Sequence, residues 1–151
     1  MPPPVLITSV QTLDGLATHV PVYARDLIRA FWPGPLTLVF VAQSSLMWDL
    51  GDTNGTVAVR MPKHDITLGL LDVVGPMAVT SANVSGQAPA MTVLEAAAQL
   101  VPAASVYLDG GPGAAAPPPT LLDCPRAPPV LPAPRPVPAR RLRDARRAGA
   151  P

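Results

Sequence analysis

Proline decides first what this chain can fold into. Twelve of its 22 prolines fall between Pro112 and Pro151. At that density the missing amide donors rule out regular strands and favour extended, polyproline-like backbone. Charge divides at nearly the same place. Up to Pro125, four basic residues stand against nine acidic ones, a net of −5, and from Arg126 onward seven arginines stand against Asp144 alone, a net of +6. The chain is therefore expected to comprise a folded unit over 1–124 and a Pro/Arg-rich tail over 125–151, with no packed core in the tail and at most a short helix over 138–148. At 48% hydrophobic and 14% charged residues, the sequence can bury a core, and 151 residues suffice for one domain.

Several classes fall away on simple grounds. No window approaches the ~18 consecutive apolar residues of a membrane span, and the first twenty residues lack the basic start and apolar block of a secretory signal. The single Cys124 cannot form an internal disulfide and brings no cluster of metal ligands. A cytoplasmic protein with no membrane partner and no bound metal is the expectation.

Within the folded unit, strand and helix patterns alternate. Val5 to Val10 is a short β-rich run after three prolines. Tyr23 to Phe31 (YARDLIRAF) sets Leu27, Ile28 and Phe31 on one helical stripe, and Pro33-Gly34-Pro35 requires that helix to end by Trp32. Leu36–Ala42 and Thr56–Met61 read as strands, Asp65–Val74 as a helix with Leu68, Leu71 and Val74 on one side, and Pro76–Val79 as a strand. Thr92–Leu100 reads as a helix capped by Thr92, with Glu95 at the capping-box spacing. Ser105–Asp109 and Thr120–Asp123 read as two more strands. Such alternation implies an α/β domain with a mixed sheet.

Two features exceed what packing needs. In TVAVR, Arg60 sits within an otherwise apolar strand with no acidic residue two positions away on its face. An arginine so placed needs an anion: either a ligand carboxylate or phosphate, or a salt bridge to Asp65 or Asp52. The second is MAVTSANVSG, where a strand opens directly into Thr80, Ser81, Asn83 and Ser85. Small hydrogen-bonding side chains at a strand end suit a binding loop, because α/β sheets gather ligands there. A capped turn before the next helix is the plainer alternative. By itself His64 reads as a loop or helix-start residue, and Trp32 and Trp48 as packing residues.

FWPGPLTLVF, TVAVRMPKH, GPMAVTSANVSG and VYLDGGP, in this order and at these separations, resemble the YrdC-type L-threonylcarbamoyladenylate synthases. The resemblance runs from about Val5 to Asp123. It implies a YrdC-like α/β fold, a twisted mixed sheet with flanking helices and a concave ligand groove. It further implies condensation of L-threonine, bicarbonate and ATP, with magnesium accompanying the nucleotide, into threonylcarbamoyl-AMP and pyrophosphate. That nucleotidyl transfer serves threonylcarbamoyladenosine modification of tRNA, so tRNA and the proteins of the later transfer step are implied partners. On the matched motifs, Thr56, Ser81 and Asn83 would contact ATP, and Arg60 would hold the threonine carboxylate. His64 would have a supporting role, and no protein nucleophile is assigned. The alternative function is a non-catalytic module binding double-stranded RNA or tRNA, with the arginine tail adding phosphate contacts.

Departures from the family pattern bear on activity. The family's longer amino-terminal region, with its basic K-x-R type motif, has no counterpart in the 151 residues, whose only lysine is Lys63. The usual S-T-[IV]-V-D appears as Pro119-Thr120-Leu121-Leu122-Asp123, and Pro132 stands where an arginine is usual. These differences lead to the expectation that the 151 residues alone bind ATP weakly and make little adenylate.

Overall fold

The computed structural model describes residues 3–113 and 119–125. Apart from Pro125, the expected tail and its short helix lie outside the described residues. Residues 3–79 and 119–125 form one compact unit and residues 80–113 a second.

The first unit is built on a mixed sheet. Its elements in chain order are β1 (Val5–Leu6), α1 (Gln11–Leu16), β2 (Ala17–Thr18), α2 (Val22–Phe31), β3 (Leu36–Ala42), β4 (Thr56–Arg60), α3 (Asp65–Val74), β5 (Met77–Ala78) and, after the second unit, β6 (Thr120–Asp123). The strand order is β2-β3-β4-β1-β5, with β6 also paired to β3. β3 runs antiparallel to β2 and β4 and parallel to β6, while β1 lies parallel to β4 and antiparallel to β5.

Register sorts the side chains into two faces. Leu38 lies opposite both Val59 and Leu122, Phe40 opposite Val57, and Val5 opposite Val59. All are buried, and they pack with Leu13, Leu16, Ala24, Leu27 and Ile28 of α1 and α2 into one core. The other face carries Val39, Val41, Thr56, Ala58, Arg60 and Asp123, the intervening residues of the same strands.

The α2–β3 connection follows from PGP. α2 stops at Trp32, whose backbone amide donates to the Ile28 carbonyl and whose indole Nε1 donates to the Leu36 carbonyl at 2.7 Å. Gly34 donates to the Met61 carbonyl at 2.9 Å, and a Cβ there would run into the Phe31 carbonyl oxygen. Only glycine allows that approach.

Most elements lie where the sequence puts them, with β3, α3 and β6 at the expected bounds. Other expectations need correction. β1 ends at Leu6. After Ile7, whose amide still donates to the Arg60 carbonyl, Ser9 and Val10 accept from Thr12 and Leu13 and the chain turns into α1. That six-residue helix and the two-residue β2 are too short to leave a periodic signal. Arg60 is the last residue of β4 rather than an interior one. Of the α3 stripe only Leu71 is buried, and Val74 is 54% exposed. Trp32 packs in the core as expected, but Trp48 is 42% exposed.

The second unit holds α4 (Val93–Leu100), which begins as expected. Thr92 Oγ1 accepts from the Glu95 amide at 3.2 Å, while the Glu95 carboxylate reaches one residue beyond the cap to accept from the Met91 amide at 2.8 Å. Ser105–Asp109, expected as a strand, forms none; its Val106 and Leu108 are 74% and 64% exposed. β-propensity makes a strand only where another backbone pairs with it, and no strand of the described residues pairs here.

The register makes a direct prediction. Leu38→Ala, at the centre of the core face, should lower the unfolding free energy by about 2–5 kcal/mol in urea denaturation. Val41→Ala, three residues on and on the opposite, 43% exposed side, should change it by about 0.5 kcal/mol or less. Comparable losses at both positions would mean that the two faces are wrongly assigned.

Candidate functional site

β4 alternates with period two. Val57 and Val59 point into the core, and Thr56, Ala58 and Arg60 share the other face, half-buried. At ~3.3 Å per residue, Thr56 and Arg60 stand about 13 Å apart on that face. They can serve two parts of an extended ligand, but not one small group.

Thr56 begins the strand after a tight turn in which Asn54 and Gly55 adopt φ values of 50° and 71°. The Thr53 carbonyl accepts from both the Thr56 amide (3.1 Å) and its hydroxyl (2.7 Å). The hydroxyl proton is therefore committed, leaving the oxygen lone pairs to accept from a ligand.

Arg60 is the electrostatic anomaly of the sheet. Its Nε is shut off from solvent with no hydrogen-bond partner, and burial pulls the guanidinium below its ordinary pKa. Among the described residues the ion pairs are Arg25–Asp14 and Arg29–Asp26. The salt bridge to Asp65 or Asp52, the plainer alternative for Arg60, does not form. An arginine stays cationic at neutral pH even when partly desolvated, so this strand end presents an uncompensated charge. His64 caps α3, with Nδ1 accepting from the Thr67 amide at 3.3 Å. That is the helix-start role read from the sequence.

In the second unit, Ser81 and Asn83 share a loop folded on its own hydrogen bonds. The Ser81 carbonyl accepts from the Asn83 amide (3.0 Å) and the Thr80 hydroxyl (3.1 Å). The exposed Ser81 hydroxyl has no partner among the described residues. Asn83 Nδ2 donates to the carbonyls of Val84 and Gln87, both at 3.0 Å, while its Oδ1 is shielded from solvent and unpartnered. Gln99 of α4 fixes the far side of the loop by accepting from the Val84 amide and donating to the Ala88 carbonyl. The loop is thus a braced turn as well as a set of small polar groups. The plainer reading accounts for its Nδ2 contacts and leaves Oδ1 and the Ser81 hydroxyl over.

Two clefts border Thr56. One, of about 280 Å³, opens beneath the β3–β4 connection beside Trp48 and Leu50. The other, of about 370 Å³, lies on the Arg60 face of the sheet, between the Asn54–Gly55 turn and Asp123. Asp123 is the groove residue that the motif reading passed over. The signal was available: in TLLD, the period of a strand that buries Leu122 turns Asp123 the other way.

A family model described as Sua5/YciO/YrdC, telomere recombination, matches residues 1–131. The chain belongs to the Sua5/YciO/YrdC family. It is 47% identical over 144 residues to a Mycobacterium tuberculosis protein provisionally named a threonylcarbamoyl-AMP synthase, covering 95% of this chain and 66% of that one. It is 36% identical over 126 residues to the threonylcarbamoyl-AMP synthase of Pyrococcus abyssi, covering 83% of this chain and 37% of the relative. The fold superposes on the crystal structure of P. abyssi Sua5 complexed with L-threonine with a TM-score of 0.87 at 33% identity, over 95% of this chain and 43% of that one. The chain thus spans less than two thirds of the length of these relatives. The mixed sheet with flanking helices expected from the resemblance is the fold observed.

If Arg60 is held for a ligand rather than for the fold, its charge should be a burden on the unliganded protein. Arg60→Met keeps the aliphatic stem and removes the desolvated cation, so the melting temperature should stay the same or rise. A clear drop in a thermal melt would assign Arg60 to a structural ion pair.

Proposed function

We infer that this chain contributes threonine and nucleotide contacts to L-threonylcarbamoyladenylate synthesis, in which L-threonine, bicarbonate and ATP give threonylcarbamoyl-AMP and pyrophosphate. Arg60 carries the reading. It is a guanidinium partly removed from water, unpartnered among the described residues, and presented on a strand face. Its planar fork matches a carboxylate bidentately, and L-threonine is the ligand of the P. abyssi Sua5 crystal structure. The names of the relatives favour this reading over the RNA-binding module.

The other assignments follow from hydrogen-bonding capacity. Thr56 would accept from the nucleotide. The Ser81 hydroxyl would donate to it, and Asn83 Oδ1 would accept from it. Attack of a carbamate oxygen on the α-phosphorus needs positioning and charge neutralisation more than a covalent nucleophile, so small polar groups and one cation suit it. Magnesium would arrive with the triphosphate, since no group of three His, Cys, Asp or Glu side chains among the described residues could hold a metal. The adenylate would then pass to tRNA through the proteins of the later transfer step. No helix of the described residues is long and apolar enough to cross a membrane.

Calorimetry with L-threonine tests the reading. Arg60→Ala should weaken binding by about 2–5 kcal/mol, as expected when one partner of a desolvated charge pair is removed, with an unchanged circular dichroism spectrum. Arg60→Lys should recover only part of the loss, because an ammonium lacks the fork. Ser81→Ala should weaken ATP binding by about 0.5–1.5 kcal/mol, the worth of one neutral hydrogen bond. Threonine affinity indifferent to Arg60→Ala would remove the proposal.

A further inference from the structure

The connection between β3 and β4 carries an apolar surface that neither the core nor the ligand groove uses. Leu50 is buried in the core and Leu46 packs against it. Between these two anchors, Met47 and Trp48 are 90% and 42% exposed. The Trp32 indole donates to the Leu36 carbonyl, but the Trp48 indole has no hydrogen-bond partner among the described residues. Trp48 borders the cleft of about 280 Å³, together with Asp49 and Thr56. Tryptophan and methionine left bare side by side are the residue types that protein interfaces favour.

Charge around the cleft restricts what can enter it. No basic residue occurs between Arg29 and Arg60, while the connection itself carries Asp49 and Asp52. Asp49 Oδ1 accepts from the Gly51 amide at 3.0 Å, but neither acid has a cationic partner among the described residues. An exposed indole beside two uncompensated carboxylates repels phosphate and attracts a cationic segment. The cleft has room for a few side chains but not for the ~10 Å girth of a helix, so that segment must be extended.

We propose that the occupant is the Pro/Arg-rich tail of this same chain, with residues 132–138 lying across the Trp48 indole and the tail arginines meeting Asp49 and Asp52. Composition, charge and position agree. PAPRPVP sets proline at every second position around Arg135, and Arg140, Arg141 and Arg143 follow. Proline-rich segments dock on exposed aromatic side chains with little loss of conformational freedom, and a guanidinium stacks on an indole face. The chain carries a net −5 up to Pro125 and +6 beyond it, so the two parts attract. Pro125, at the end of the described residues, lines the neighbouring cleft with Thr53, Gly55 and Thr56, and these three also line the Trp48 cleft. From residue 125 to residue 132 the chain reaches up to about 22 Å, at the ~3.1 Å per residue of polyproline backbone. That covers the step from one cleft to the next. So short a tether holds the tail at a millimolar effective concentration, at which individually weak contacts suffice.

Acrylamide quenching of tryptophan fluorescence on the full chain tests the docking. Trp32 is buried, so Trp48 supplies the quenchable signal, and Trp48→Phe should leave only faint, salt-independent quenching. At low salt the seated tail should shield Trp48. The quenching constant should then rise at least about threefold near 1 M sodium chloride, where the Debye length falls to about 3 Å. Pro134→Ala, Arg135→Ala and Pro136→Ala combined, all outside the core, should reach the high-salt value already at low salt. Asp49→Asn combined with Asp52→Asn should do the same, since asparagine keeps an acceptor for the Gly51 amide. Strong quenching of the unaltered chain at low salt, or quenching that neither set of variants changes, would overturn the proposal. Shielding that grows with protein concentration alongside dimers in sedimentation would overturn it in favour of a second copy. Shielding that appears only when a double-stranded RNA oligonucleotide is added would overturn it in favour of nucleic acid.

Discussion

The first unit hangs on the hydrogen bonding of one strand. β3 offers one edge to β4 and the other to β6 and β2 in succession, with β6 pairing Leu36–Val39 and β2 pairing Val41 and Ala42. Three segments far apart in sequence are aligned by a single seven-residue template. Because side chains alternate along a strand, a slip of one residue in β3 would send Leu38 and Phe40 to the ligand face and Val39 and Val41 into the core. The burial of Leu38 and Phe40 is therefore also what aims Thr56, Arg60 and Asp123 at a common surface. Core and candidate site are two sides of one register.

That coupling explains how the fold can hold Arg60 in a costly place. A desolvated cation without a partner disfavours the folded chain. Val57 and Val59 flank it in sequence, are fully or almost fully buried, and fix the strand regardless. The fold can carry the charge because its stability lies in the alternate residues. The loop of the second unit follows the same logic on a smaller scale. Asn83 Nδ2 and Gln99 brace the backbone, and that bracing leaves the Ser81 hydroxyl and Asn83 Oδ1 uncommitted.

Much of this was legible in the residues. The bounds of β3, α3 and β6, the Thr92 cap, the end of α2 at Trp32 and the choice of Arg60 as a group in search of an anion follow from period, capping chemistry and proline placement. α1 and β2 were not legible, because six and two residues are too few to show a period. Ser105–Asp109 misled for the opposite reason. Its valine, tyrosine and leucine suit a strand, but strand formation depends on a neighbouring backbone, which local sequence does not encode.

The sequence by itself determined which residues could be functional: the small polar groups of TSAN, the arginine of TVAVR, and the family pattern that links them. Only the tertiary structure decided which of these were left without partners among the described residues, and where the acids of the sheet and its loops came to lie. Whether Arg60 meets Asp52, Asp65 or neither depends on strand register and on the course of the loops that carry the acids. Whether Asp123 is a strand-end acid or the wall of a groove depends on β6 pairing with β3 at Val39. Hydrogen-bond propensity is a property of the residue, but an unsatisfied hydrogen bond is a property of the space around it, and only the folded chain creates that space.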